Sequence, residues 1–118
     1  MLKPNEYGKF IRAIRKERGE TLNTMAEKLD VSIAFLSALE VGKKTIPTIY
    51  VDKISRVYNF DQTQKEELAS SIELSNGKVI LKLDNCSEAK KEFCLLLSRN
   101  FKKLDDEKMK KLLKTLND

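Results

Sequence analysis

Apolar residues recur at three- and four-residue intervals through most of the chain, and turn or capping residues separate the runs, a pattern that predicts a string of short amphipathic helices. Tyr7, Phe10, Ile11 and Ile14 mark a first helix over about 5–18, closed by "RKER" and Gly19. Thr21 caps a second, with Leu22, Met25, Ala26 and Leu29 as its buried stripe. The turn "LDVS" then delivers Ser32 as cap of a third helix, about 33–40, which turns Leu36 and Leu39 inward and stops before Gly42. Pro47 fits the start of a fourth, whose inner face is Ile49, Val51, Ile54, Val57 and Tyr58. Asp61 caps a fifth that ends at Asn76 and Gly77.

The period changes beyond that stop. "KVILKLD" alternates Val79, Leu81 and Leu83 with mostly polar positions, which predicts one short β-strand. Asn85 with Glu88 reads as a capping box opening a helix that carries Ala89, Phe93, Leu96 and Leu97. Asp105, Asp106 and Glu107 open a last helix with Met109, Leu112, Leu113 and Leu116 on one face and lysines toward its C-terminal end, in keeping with the helix dipole. The fold class is therefore mainly α, with five helices followed by one short strand and two more helices. A lone strand needs a second edge, and the simplest is the same strand of another copy; a flat irregular stretch is the competing reading. The chain divides into residues 1–75 and a C-terminal region, 76–118, that joins two copies.

Composition narrows the function. The 118 residues carry a formal charge of +5, which favours a polyanionic partner. Most of the excess lies in residues 1–60, where 11 Lys/Arg stand against 7 Asp/Glu. Histidine is absent, so the usual general base and the commonest zinc ligand are missing. Cys86 and Cys94 lack the spacing of a metal or redox motif and, about 12 Å apart on one helix, cannot pair without unfolding it. "SEAK", residues 87–90, has the spacing of serine acyl enzymes, but the companion motifs are missing. No enzyme activity, cofactor or metal site is expected. The longest apolar run, "FCLLL", is far shorter than the ~20 residues a membrane span needs, and the N-terminus has no signal-peptide core, which points to a cytoplasmic protein.

The informative stretch is 21–40, where a small residue (Ala26), core residues (Leu29, Val31, Leu36, Leu39), a short turn and two caps meet the demands of two helices crossing closely. With "RAIRKERG" before it and "GKK" and Pro47 after it, the segment resembles the Cro/cI-like (XRE-type) helix-turn-helix regulators over about residues 7–60. The resemblance implies a five-helix, lambda-repressor-like domain whose third helix enters the major groove of double-stranded DNA. Carried over by position, Ser32, Ile33, Ala34, Ser37 and Ala38 face base edges. Thr21, Asn23, Thr24, Lys43, Lys44 and Thr45 reach phosphates, and Arg15 pairs with Glu40 as a structural brace. Asp30 stands where relatives often have the Gly that suits a left-handed turn, and Leu22 replaces a frequent phosphate-binding Gln.

The third helix offers no Arg, Gln or Asn. Its apolar positions can touch thymine methyls and its hydroxyls can bond several acceptors, which implies an A·T-leaning site helped by DNA shape. The expected function is a homodimeric, sequence-specific transcriptional regulator, a repressor on a palindromic operator. Dimerisation is assigned to Val79, Leu81, Leu83, Phe93, Leu97, Met109, Leu112, Leu113 and Leu116. Two alternatives stay open: an antitoxin-type autoregulator whose C-terminal helices bind a toxin, and a protein-interaction module that no longer binds DNA.

Overall fold

A computed structural model describes residues 3–118. Seven α-helices and one 3-10 turn occur among them: α1 (Glu6–Arg18), α2 (Leu22–Leu29), α3 (Ile33–Glu40), α4 (Tyr50–Val57), α5 (Gln62–Asn76), α6 (Glu88–Asn100), the turn Phe101–Lys103 and α7 (Asp106–Asn117). The chain separates into two compact units, one through Ile80 and the other Leu81–Asp118.

The first unit has one core, built where the inward stripes of α1 to α5 converge. Tyr7, Ile11, Met25, Leu29, Leu36, Leu39, Ile54 and Leu68 are all essentially inaccessible to solvent. Local chemistry sets the helix ends. The Asn5, Thr21, Ser32 and Asp61 side chains accept N–H bonds from the first turns of α1, α2, α3 and α5, and Asp61 completes a capping box with Gln64. Asp30 closes α2 in the left-handed region, at φ 56° and ψ 50°, a conformation Asp tolerates better than most side chains.

Helix α4 differs from the sequence expectation. Pro47 precedes it by a turn and accepts a hydrogen bond from the Tyr50 N–H, so the helix begins at Tyr50. With that start, Tyr50, Ile54 and Tyr58 line up at four-residue spacing and are buried, whereas Ile49 and Val57 are left 68% and 40% exposed.

The expected β-strand is absent. Residues 78–83 have no regular structure, and no strand occurs among the described residues. Backbone groups of an extended segment without a neighbouring edge bond water as readily, so alternation alone does not make a strand. Asn85 does not cap the next helix either. It takes a left-handed conformation, at φ 61°, and Ser87 is the cap, accepting from the Lys90 N–H.

In the second unit, α6 and α7 contain no buried residue. Phe93, Leu95, Leu96, Leu112, Leu113 and Leu116 are among the exposed large apolar side chains, while Leu97 and Cys94 are half-buried. No helix among the described residues is long and apolar enough to cross a membrane.

Candidate nucleic-acid interface

Helix α3 is divided lengthwise. Leu36, Leu39 and Glu40 face the interior, while Ser32, Ile33 and Ala34 are exposed and Ser37 and Ala38 half-exposed. Ile33, at 46% exposure, is the largest apolar group on the outward side. The Ser32 hydroxyl oxygen accepts from the Phe35 N–H at 3.0 Å, which leaves its O–H free to donate outward. Helix α2 packs on α3, and its capping Thr21 accepts from the Thr24 N–H at 3.1 Å, with the two threonine hydroxyls 3.0 Å apart. Asn23 beside them is exposed. After α3 the chain folds back, the N–H groups of Lys43 and Lys44 both donating to the Ala38 carbonyl, and this holds the exposed Lys43, Lys44 and Thr45 at the end of the helix.

The brace beneath α3 has three cationic contacts on one carboxylate. Arg15 Nη1 donates to Glu40 Oε2 at 2.6 Å and Nη2 to Oε1 at 2.9 Å, a two-pronged pairing, and Arg12 Nε reaches Oε1 at 3.2 Å. The Glu40 and Arg15 side chains are 1% and 9% exposed. Burial by itself would lower the Arg15 pKa, but the hydrogen bond and the charge of Glu40 outweigh it and raise it. Arg12 is thus part of the brace.

Sequence reasoning missed several residues that position this site. The Asn5 Nδ2 group donates to the Leu39 carbonyl at 2.8 Å and its backbone N–H to the Glu40 carbonyl at 2.9 Å, satisfying the open C-terminal end of α3. Its Oδ1 accepts from the Gly8 N–H, so one side chain serves two helices. Gly8 lies so close to the Glu40 carbonyl that a Cβ would collide with it. Asn76 pairs by its amide with both backbone groups of Ile46, at 2.9 Å each, and so anchors the far end of the loop that carries Lys43 to Thr45. The spacing of Asn5 and Gly8 is an N-cap signal, whereas nothing near Asn76 in sequence points to Ile46.

Two helices crossing at a tight turn, the second solvent-facing along one side and flanked by free lysines, define a helix-turn-helix module. A family model described as a helix-turn-helix domain matches residues 8–74, and the chain belongs to that family, in its Cro/cI-like, XRE-type branch of DNA-binding regulators. The chain is also 29% identical over 93 residues to the HTH-type transcriptional regulator SinR of Bacillus subtilis (strain 168), an alignment spanning 73% of this chain and 84% of the relative. No solved structure matches the chain significantly.

Proposed function

We propose that the chain is a homodimeric transcriptional repressor that reads a palindromic operator with α3 in the major groove. The observation that carries this reading is the division of α3, which is locked by Glu40 and Asn5 on one side and open along Ile33, Ala34, Ser37 and Ala38 on the other. In this arrangement Ile33, Ala34 and Ala38 contact thymine methyls, and Ser32 and Ser37 donate to base or phosphate oxygens. Thr21, Asn23, Thr24, Lys43, Lys44 and Thr45 grip the flanking phosphates. No catalytic step is assigned to the chain, and its place of action is the cytoplasm.

Two copies are joined through apolar side chains of the C-terminal region: Phe93, Leu97, Met109, Leu112, Leu113 and Leu116, with Val79, Leu81 and Leu83 adding apolar surface rather than strand pairing. Large apolar groups left in water along two helices call for a cover, and a second copy provides one. A toxin or other non-self protein is the second reading, favoured by the same exposed faces.

Selection of bound sites from random duplexes tests the reading. The expected result is an enriched, two-fold symmetric, A·T-leaning motif with half-sites spaced by whole helical turns, and relaxed thymine selectivity for Ile33→Ala. Absence of any enriched motif overturns the repressor reading, and unchanged selectivity in Ile33→Ala overturns the methyl-contact role. A protein that stays monomeric at tens of micromolar and gains a partner only from a second chain favours the non-self reading.

A further inference from the structure

The cations of the first unit divide into those with and those without an ion-pair partner among the described residues. Lys9, Arg12, Arg15, Lys28 and Lys65 each face a carboxylate, whereas Lys44 and Lys53 have no ion-pair partner among the described residues. Each instead sits over an aromatic ring, Lys44 5.4 Å from the centre of Phe35 and Lys53 5.4 Å from that of Tyr50. The two rings are neighbours, tilted at 41° with centres 6.1 Å apart. Phe35 belongs to α3 and Tyr50 to α4, so a ladder of ammonium, ring, ring and ammonium runs from the recognition helix and its loop onto the next helix. Those three separations place the ammonium groups at most about 17 Å apart, no more than about five phosphate steps along one strand at 3.4 Å rise.

A ring face attracts an ammonium without neutralising it, and it restricts a side chain that otherwise loses much rotamer freedom on binding. Such a lysine keeps its full charge for a polyanion and is already ordered. We propose that Phe35 and Tyr50 hold Lys44 and Lys53 as a preformed clamp on the DNA phosphate backbone, with Lys53 a contact beyond the recognition helix and its loop. This rests on the DNA-binding reading above and extends its footprint onto α4. The clamp adds affinity and orientation and carries no base selectivity.

Affinity of the full chain for a mixed-sequence DNA duplex, measured against salt concentration, tests this. Lys53→Gln should reduce the slope of log affinity against log salt by about 0.9 per protomer, and the Lys44→Gln, Lys53→Gln double variant by about twice that. Lys53→Arg should keep the slope, and so should Lys9→Gln, whose lysine is paired with Glu6. The motif selected by Lys53→Gln should match the wild type. An unchanged slope for Lys53→Gln, while the wild type retains salt-dependent binding, overturns the clamp and leaves the DNA reading standing. An equal loss in Lys9→Gln also overturns it, because net charge then explains the effect. A wild-type chain without salt-dependent binding overturns the DNA reading and the clamp together.

Discussion

Glu40 is a carboxylate taken almost fully out of water at the end of α3, and three cationic contacts from α1 make that tolerable. Breaking a buried pair by removing one partner strands the other charge, at a cost of about 3–5 kcal/mol. Glu40→Ala should lower unfolding free energy by that order in denaturant titration, while Arg15→Met with Glu40→Leu should cost less, since Arg12, 43% exposed, keeps its access to water and no buried charge is then stranded. A second ionic cluster gives a pH dependence. Lys28 bonds Glu20 and, with the hydroxyl of Tyr58, holds the Glu20 carboxyl below its ordinary range. A depressed carboxyl pKa stabilises the fold above the unfolded value, about 4.3, and that contribution fades as pH falls toward the folded value. Glu20→Gln should therefore reduce stability at neutral pH and flatten the loss of stability on acidification below about pH 5, as followed by circular dichroism.

Helix α3 is short, with eight residues, and a helix of that length has little stability of its own in water. Its position depends on neighbours: Asn5 on its last carbonyls, α2 across its start and the Asn76-anchored loop beyond it. Gly8 allows α1 to approach the end of α3 at backbone distance, so Gly8→Ala forces the two apart. The expected cost is about 1–3 kcal/mol, the range for overpacking, with weaker DNA binding because the recognition helix shifts. Thermal unfolding and duplex titration of the same variant check both parts. Caps at Thr21, Ser32 and Asp61 were legible because a cap and its target lie within three residues. The face of α4 was legible only in part: Ile54 and Tyr58 are buried as their spacing implies, but Pro47 marks a turn before the helix rather than its start, and only packing against the core chooses Tyr50 over Ile49.

The molecule combines a well-buried first unit with a second unit in which no residue is fully buried. If the exposed α6 and α7 faces join copies, Leu112→Lys with Leu113→Lys should shift sedimentation toward the monomer without unfolding α1 to α5. It should also weaken operator binding, because a dimer doubles the contacts of one short helix. With +5 on each chain, such a dimer should bind DNA with steep salt dependence, which duplex titration at several salt concentrations checks.

Helix count, the caps at Thr21, Ser32 and Asp61, the helix-turn-helix segment and its outward residues follow from spacings of three or four positions, since one helical turn is the range over which those forces act. Contacts across the fold escaped such reading: Asn5 with Leu39, 34 residues apart, Asn76 with Ile46, 30 apart, and the ladder linking Lys44 to Lys53. The alternation at 78–84 misled for the same reason. Its period is local, but a strand exists only when a second edge completes its hydrogen bonds, and the folded chain supplies none among the described residues.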